Sequence, residues 1–370
     1  MYDALIIGGG LAGLVNGIQL SRQKWKVLLI EKNVYPFHRV CGEYISNEAT
    51  LFLKKIGCYP EELRPATIQK FQLSAPNGLF LELPLKLGGF GISRFSYDHW
   101  LAKRAIEAGV ELVEGIKVDG INFESDRFQV ELSNGHWVES KVVLGCQGKR
   151  SLIDKFLHRP FLKHRSPYIG VKKHLELDYP DGLIALHNFR GGYCGISQVE
   201  NGIVNLAYLC EREKLKMAGS IPNLEQNVLC KNPHLDTIFK TSKTTFRQPM
   251  VINEISFATK EPVNSHVLMA GDAVGMISPL CGNGMAMAIH SAKLCSSLVN
   301  DYLSKNIDRT KLESTYSDQW AKLFNHRLRR GRWLQKLFGN SINPQLTIKI
   351  CSLFPALGQA LISQSHGEPF

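Results

Sequence analysis

Two apolar runs with a helical stretch between them open the chain. Residues 4–7 and 27–30 are uninterrupted aliphatic runs, as expected for strands buried on both faces of a parallel sheet. A glycine-rich turn at 8–13 follows the first run, and Glu31 closes the second. The order strand, turn, helix, strand predicts an α/β unit of the kind that binds dinucleotides.

The turn Gly8-Gly9-Gly10-Leu11-Ala12-Gly13 has the Gly-x-Gly-x-x-Gly spacing that places a pyrophosphate at a helix N-terminus. Gly8 permits the tight turn, Gly10 lets backbone N–H groups approach the phosphates, and Gly13 lets the helix pack on the strand. Leu11 and Ala12 begin the helix and are expected beside the phosphates.

An acid stands at the expected distance from that turn. Glu31 lies eighteen residues after Gly13, where its carboxylate can accept hydrogen bonds from both hydroxyls of an adenosine ribose. Lys32 follows it and is expected at the same edge of the site. These residues predict a dinucleotide, but they do not distinguish NAD from FAD.

A second motif lies near the carboxyl end. The apolar run 267–270 leads into Gly271-Asp272, and a glycine-flanked helix begins at Gly284-Met285. Here the sequence resembles the FAD-dependent superfamily of geranylgeranyl reductases, group A aromatic hydroxylases and flavin-dependent halogenases. The resemblance implies FAD as the cofactor, with Gly271 and Asp272 at its ribityl chain. It also implies that the helix at Gly284 and Met285 points its N-terminus at the isoalloxazine, where it stabilises negative charge.

The resemblance implies two further cofactor contacts. Arg94, at the start of a helix, corresponds to an arginine that contacts FAD in the geranylgeranyl reductases, and Val118 lies on the adenine side. A positive side chain at a helix start is disfavoured by the helix dipole, which favours an anionic partner for Arg94. The alternative is an ordinary surface arginine.

The segment Pro36-Phe37-His38-Arg39-Val40-Cys41-Gly42-Glu43 resembles the Pro-x-x-x-x-Cys-Gly signature of the same reductases. This implies that Cys41 and Gly42 line the isoalloxazine, and Arg39 is expected at the cofactor too. Glu43 and Tyr44 then replace glycines of the reductases and narrow the site. Cys41 has three interpretations: a small packing residue, a flavin contact, or a catalytic acid or nucleophile.

Residues 191–197 occupy the place of the Tyr-x-Trp-x-Phe-Pro segment of the reductases. Tyr193 is kept, whereas Gly195 stands in place of the Trp and Ser197 in place of the Phe. Losing the indole opens space over the ring, so Tyr193, Gly195 and Pro279 are expected to line a substrate pocket. The halogenase signature Trp-x-Trp-x-Ile-Pro is missing, which argues against halogenation.

The electron donor is less defined. Family members usually carry Asp-Gly-x-x-Ser where this chain has Gln147-Gly148-Lys149-Arg150-Ser151, and that Asp is associated with pyridine-nucleotide binding in the hydroxylases. No second Gly-x-Gly-x-x-Gly turn follows a strand, so no separate NADPH domain is expected. NADPH or NADH is therefore expected to dock transiently.

The element pattern and the resemblance together predict an α/β fold with three parts. A Rossmann-like FAD-binding domain of the glutathione-reductase type is expected over 1–65, 92–157 and 262–302. An antiparallel β-sheet substrate domain is expected over 66–91 and 158–261, and a C-terminal helical region over 303–370. Turn signals at 75–78 and 133–135 predict hairpins.

Composition and cysteine spacing indicate the class of protein and its cellular location. The 370 residues are 44% hydrophobic and 21% charged, which is ordinary for a soluble chain. Since the first strand begins at Tyr2, no targeting segment is expected before it. The nine cysteines are scattered without a Cys-x-x-Cys pair, which predicts reduced thiols, a cytoplasmic location and no metal site.

The net charge of +11 is concentrated towards the carboxyl end. Residues 319–367 contain no Asp or Glu, and 320–338 interleave apolar and basic residues at helical spacing. This amphipathic pattern is typical of a packed helix with a solvated face, or of a surface that contacts anionic lipid. Nucleic-acid binding is not expected, because no recognised binding module accompanies the charge.

One flavin without a second nucleotide domain leaves two chemistries. The first hypothesis is a monooxygenase that hydroxylates an aromatic or lipophilic small molecule through a flavin C4a-hydroperoxide. The second is a geranylgeranyl-reductase-like enzyme that reduces carbon–carbon double bonds in a polyprenyl substrate. A third hypothesis is a peripheral membrane protein that binds flavin without turnover. For both enzymes the protein supplies orientation, water exclusion and electrostatics around the cofactor.

Overall fold

The computed structural model describes residues 1–163, 166–253, 255, 257–258, 260–276, 282–337, 343–363 and 366–370. The strands are β1 (Tyr2–Ile7), β2 (Val27–Glu31), β3 (Tyr44–Ser46), β4 (Ala66–Ser74), β5 (Phe80–Gly91), β6 (Glu111–Glu114), β7 (Val118–Glu124), β8 (Arg127–Leu132), β9 (Trp137–Gly145), β10 (Tyr168–Glu176), β11 (Leu183–Phe189), β12 (Gly192–Gln198), β13 (Val204–Glu211), β14 (Lys243–Thr244), β15 (Met250–Asn253), β16 (Val263–Asn264) and β17 (Val267–Met269). The α-helices are α1 (Leu11–Arg22), α2 (Thr50–Lys55), α3 (Arg94–Glu107), α4 (Leu152–Phe156), α5 (Arg212–Ala218), α6 (Ile221–Asn227), α7 (Pro233–Thr241), α8 (Gly284–Leu303), α9 (Arg309–Leu337), α10 (Asn343–Leu353) and α11 (Pro355–Ser363).

The first sheet has the strand order β16-β17-β9-β1-β2-β6, with β7 and β8 continuing antiparallel from β9. Its centre is parallel, because β1 pairs with β2 and β9, β2 pairs with β6, and β9 pairs with β17. The aliphatic runs in β1, β2 and β17 are buried throughout, as their uninterrupted sequence predicts. Helices α1 and α8 pack on each other beside this sheet. The predicted α/β unit and the hairpin at 133–135 are confirmed.

The second sheet has the order β14-β10-β13-β12-β11-β4-β5-β3, and β15 also pairs with β10. It is antiparallel except for one pair, since β4 and β11 run parallel. Two further features depart from the sequence analysis. Strand β3 lies within 1–65 but joins this second sheet, and helices α5 to α7 interrupt 158–261. The other strands of each sheet fall within the ranges expected for their domain, whose boundaries stay a prediction.

Alternation along the strands gives the second sheet two different faces. One face packs against α5 to α7 through an apolar cluster that includes Val171, Cys194 and Leu206. The opposite face carries Leu186, Tyr193 and Leu209. Because β3 joins this sheet directly after the loop 36–43, that opposite face lies against the first domain.

Helices α9 to α11 pack against the two domains. In α9, Trp320, Phe324 and Leu328 are buried, so the apolar stripe of this helix packs into the core rather than facing outwards. Helices α10 and α11 pack against β4 and β5. At the chain end, Phe370 stacks on His290 with ring centroids 3.9 Å apart. Within the described residues, every helix is too short or too polar to cross a bilayer.

Candidate functional site

In the glycine turn, Gly8 and Gly13 are packed against neighbouring backbone, whereas Gly10 faces outwards. A Cβ at Gly8 would lie 2.5 Å from the carbonyl oxygen of Cys146, and one at Gly13 would lie 2.0 Å from that of Gly8. Both positions therefore need glycine for close packing. At Gly10 the nearest neighbour of such a Cβ is an Arg94 nitrogen at 3.4 Å. The turn thus presents its Gly10 side to a ligand, with a guanidinium beside it. Leu11 and Ala12 follow as buried residues of α1.

Glu31 ends β2 beside this turn, as expected, and it is almost fully buried. Its carboxylate accepts hydrogen bonds from the Gly9 backbone N–H at 2.8 Å and from Arg39 Nη2 at 3.1 Å. The other oxygen accepts from the backbone and side-chain nitrogens of Asn33, at 3.0 and 2.9 Å. Since a carboxylate offers about four lone-pair sites, a ribose hydroxyl must displace one of these donors to bind.

Two arginines share one buried carboxylate next to Gly10. Arg94 binds Asp98 with both Nε and Nη2, each at 2.6 Å, and Arg39 Nε reaches the same carboxylate at 3.1 Å. Burial opposes the charge on Arg94, but Asp98 outweighs it and raises the pKa of the guanidinium. Asp98 was missed from the sequence, although an Arg–Asp pair four residues apart on a helix is a recognisable signal.

The Gly271-Asp272 turn packs against the Gly8–Gly13 turn. Gly271 has a left-handed φ of +63°, and a Cβ there would lie 3.1 Å from the Cβ of Ala12. Its N–H donates to Ser291 Oγ of α8 at 2.9 Å, and Asp272 follows, partly exposed. Gly284 is the first residue of α8, and Met285 is buried. Pro279 lies outside the described residues.

A buried lysine ties the Asp272 turn to the segment after β9. Lys260 Nζ donates to the carbonyl oxygens of Lys149 at 2.7 Å and Asp272 at 3.0 Å. Burial lowers the pKa of Lys260 to about 8. Burial also lowers the pKa of Lys149, against the attraction of Asp272 and Cys41. Neither lysine was identified from the sequence, because each contact depends on the tertiary fold.

The loop 36–43 places Cys41 and Gly42 at the junction of the two domains. Among the residues that the structure describes, no heavy atom would lie within 4 Å of a Cβ at Gly42. Cys41 Sγ accepts a hydrogen bond from the Glu43 N–H at 3.4 Å, and burial raises the pKa of the thiol. A raised pKa disfavours the thiolate, which argues against a nucleophilic role for Cys41.

Two expected contacts lie at the edge of the first sheet. Val118 begins β7 and is buried, two residues after Ile116, whose N–H donates to the Glu31 carbonyl at 3.3 Å. This brings Val118 to the Glu31 end of the site. Lys32 is exposed at the same edge.

The expected pocket residues share one face of the second sheet. Gly195 pairs with Ala207, which pairs with Lys172, so these three residues form one cross-strand row. Tyr193 lies two residues earlier on the same face and is buried with Leu186 and Leu209. In the described part of the chain, a Cβ at Gly195 would have only the Ala207 carbonyl oxygen within 4 Å, at 3.7 Å. The role of Gly195 in a substrate pocket stays a prediction.

A family model described as an FAD-binding domain matches residues 1–319. The chain belongs to this FAD-binding family. It is 23% identical to digeranylgeranylglycerophospholipid reductase 2 of Methanopyrus kandleri, over 93% of this chain and 88% of that protein. It is 25% identical to Protein FixC of Escherichia coli strain K12, over 94% and 87% of the two chains.

Among solved structures, the halogenase PltM has a similar fold, with a TM-score of 0.81 and 16% identity over 98% of this chain and 82% of that one. The family match and the reductase relative identify the chain as an FAD-dependent oxidoreductase, and the halogenase structure has the same fold.

The residues present fit FAD. The Gly8–Gly13 turn, Arg94 and Arg39 would hold the pyrophosphate, and Glu31 the adenosine ribose. The Asp272 turn, packed against Ala12, would hold the ribityl chain. These individual assignments stay predictions.

Gln147 stands where the family usually has Asp, and its side chain contacts a different carboxylate, that of Asp154. Its Nε2 donates to Asp154 at 3.3 Å, and Asp154 is fully buried and paired with Arg159 at 3.0 Å. Asp154 also accepts from the Ser151 N–H at 2.7 Å. The acid thus has a structural role inside the first domain, seven residues after the expected position.

Proposed function

We propose that this FAD-dependent oxidoreductase is a monooxygenase that hydroxylates an aromatic or lipophilic small molecule. The observation that carries the proposal is the apolar sheet face around Tyr193, where the described residues leave Gly195 and Gly42 uncrowded. Bound FAD would supply the electrons that activate oxygen. The protein would orient the substrate against this face and exclude water from it.

The proposal includes NADPH or NADH as a transient donor. Support comes from the glycine turns of the chain, because only the turn at 8–13 joins a strand to a helix with dinucleotide spacing. A donor that docks and leaves needs no second binding domain. Stopped-flow reduction of bound FAD by each nucleotide tests this part.

Reduction of carbon–carbon double bonds in a polyprenyl substrate is the second candidate. It is favoured by the named reductase relative, which aligns over 88% of its own length. The Cys41-Gly42 pair in the junction loop also matches the reductase signature.

One experiment separates these candidates. NADPH oxidation and oxygen uptake are measured with an aromatic panel, and products are analysed by mass spectrometry. Hydroxylation predicts substrate-stimulated oxygen uptake and a product heavier by one oxygen atom. Anaerobic saturation of a polyprenyl chain, without response to the panel, would replace the first candidate by the second. Photoreduced FAD that persists in air with every substrate would point to a flavin-binding protein without turnover.

We further propose that the protein contacts anionic membranes through α10 and α11. The stripe of exposed apolar side chains continues from one helix to the next at helical spacing. Its members and their exposed fractions are Leu346 (56%), Ile350 (38%), Leu353 (75%), Phe354 (64%) and Leu357 (45%). Arg329, Arg330 and Lys349 are exposed nearby in sequence, in a region without acids from 319 to 367. Apolar and cationic groups together favour an anionic bilayer surface.

The buried side of α10 lies against the candidate substrate face, and this placement favours a lipophilic substrate. Ile348 of α10 is fully buried in the cluster that contains Tyr193 and Leu186. The helix thus separates the candidate substrate face from the exposed apolar stripe. A lipophilic substrate would reach this face from the bilayer with little exposure to water.

Vesicle sedimentation tests the membrane contact. We expect binding to anionic vesicles that weakens with salt, and a loss of at least about tenfold in the Leu353→Ser/Phe354→Ser variant, because two large side chains no longer insert. Met217→Ser is the matched control, since Met217 is 81% exposed on α5, away from these helices. Equal binding by both variants would contradict the proposal.

A further inference from the structure

Three ionisable side chains are buried together where the two domains meet. Glu43 and Lys172 are 0% exposed and His174 is 5% exposed. Glu43 comes from the junction loop of the first domain, and the other two come from β10 of the second sheet. No cofactor contact identified above uses any of them.

The contacts within this cluster are direct. Lys172 Nζ donates to Glu43 Oε1 and, at 3.2 Å, to the carbonyl oxygen of Arg39. His174 Nε2 lies 2.7 Å from Glu43 Oε2. The Arg94 backbone N–H donates to Glu43 Oε1 at 2.7 Å. Burial alone would raise the pKa of Glu43, but Lys172 and His174 outweigh it and hold the pKa below its usual range.

Strand register places the cluster beside the candidate substrate space. Lys172 shares a cross-strand row with Gly195, two strands away, a separation of about 10 Å. His174 shares the next row with Asn205 and Ser197. Asn205 Nδ2 donates to the Cys41 carbonyl at 3.2 Å, so this row contacts the loop that carries Cys41 and Gly42.

The arrangement is costly to maintain. Glu43 has a left-handed φ of +55°, which is unfavourable for a residue with a side chain. Burying a carboxylate and an ammonium carries a desolvation penalty that their attraction repays only with good geometry. Strain and buried charge at one point are features of functional sites.

A path of aromatic rings leads from the cluster towards the surface. The His38 ring meets the His174 ring edge-on, with centroids 5.1 Å apart, and stacks on Phe95 at 4.5 Å. Phe95 is 37% exposed. Within the described residues, His38 Nδ1 is buried without a hydrogen-bond partner. His38 is itself partly exposed, so its ring lies between His174 and the solvent.

We propose that Glu43, Lys172 and His174 form a proton-transfer site that serves the space beside Gly42 and Gly195. Lys172 keeps Glu43 ionised, Glu43 orients His174, and His174 gives up the proton that solvent returns through His38. This role rests on the oxidoreductase assignment and holds for both candidate reactions.

The proton balance is the same in each reaction. Hydroxylation converts substrate, O₂, NADPH and one proton to the hydroxylated product, water and NADP⁺. Double-bond reduction takes one hydrogen as hydride from NADPH by way of the flavin and the other as a proton, as the π bond breaks. Each turnover therefore consumes one proton, which the site supplies.

Other charged groups face the cluster and contribute to its titration. They are His38, Arg39 and Cys41 from the loop, Arg94 from α3, and Glu200 from the turn after β12. Burial, followed by Lys172 and His174, lowers the pKa of His38 to about 4. His38 is thus neutral at pH 7 and is protonated only transiently during proton transfer.

The test measures proton uptake when bound FAD is reduced anaerobically by methyl viologen radical, a donor that releases no proton on oxidation, without any substrate. Because the proton passes through the cluster, we expect His174→Gln to cause a loss of about tenfold or more in the rate of proton uptake at pH 7, followed with a pH indicator in stopped flow. Glutamine keeps an N–H donor for Glu43. The double variant Glu43→Gln/Lys172→Met removes both charges together and is expected to show the same loss.

Lys173→Met is the matched control. Lys173 is the next residue of β10, but it points to the opposite face and pairs with Glu225. An unchanged rate of proton uptake in His174→Gln and in the double variant, with FAD still bound, would overturn the proposal and leave the cluster as a clamp between domains. Since no substrate is needed, this result is independent of whether hydroxylation is found.

Discussion

Replacing Arg94 by methionine tests how this chain holds the FAD pyrophosphate. The Arg94 guanidinium is the nearest group to the outward side of Gly10, and it is bound through two nitrogens to Asp98. Methionine keeps the apolar part of the side chain and removes the charge. The variant therefore removes one anion contact and one buried ion pair together.

The expected loss of affinity follows from the contact that is removed. A hydrogen bond to a charged group contributes about 1.5–3 kcal/mol, which corresponds to about 10- to 150-fold in Kd. Because Asp98 already shares the guanidinium, we expect the lower end, about tenfold weaker FAD binding. Breaking a buried ion pair costs about 3–5 kcal/mol. Arg39 still reaches Asp98 at 3.1 Å, so the loss of stability should lie at or below that range.

Titration of the apo-protein with FAD, followed by flavin fluorescence, measures the first effect, and urea unfolding measures the second. Arg104→Met is the control on the same helix. Its ion pairs with Glu62 and Glu107 are exposed, and its own side chain is 39% exposed. We expect this variant to change stability by less than about 1 kcal/mol and Kd by less than about twofold. Equal FAD affinity in both variants would refute the pyrophosphate role and leave Arg94 as a structural partner of Asp98.

Two further predictions concern the carboxyl-side turn. Asp272→Ala should release FAD without unfolding the chain, because Asp272 is partly exposed and its turn is held by backbone contacts to Ser291 and Lys260; a variant that stays yellow through gel filtration would contradict the assignment. The second prediction concerns pH. Lys260 has a pKa of about 8 in the folded chain and an ordinary value of 10.5 when unfolded, so the unfolded state binds more protons between these values and stability rises with pH there. Between pH 7.5 and 9.5 the unfolding free energy of the wild type should rise by about 2 kcal/mol relative to Lys260→Met, measured by urea denaturation. A constant difference would show that Lys260 keeps its ordinary pKa.

The parts of the site that depend on local backbone geometry could be predicted from the sequence. Gly8 has a φ of +103° in the turn, Gly13 is required by its contact with Gly8 within one strand–turn–helix unit, and Glu31 follows at the end of the next strand. Their spacing therefore carries the structural information by itself. The junction of the Gly271 turn with Ala12 came instead from resemblance, because 259 residues separate the two positions and no local pattern connects them.

The adjacent lysines of β10 show why the rest was beyond the sequence. Alternation along a strand predicts that Lys172 and Lys173 point to opposite faces, but it does not say which one meets the first domain. That choice is fixed by the pairing of β10 with β13 and by the loop that brings Glu43 across. A buried ammonium and a partly solvated one therefore look identical in sequence. Sites formed between two sheets require the register of both, so their acid–base groups emerge only from the folded chain.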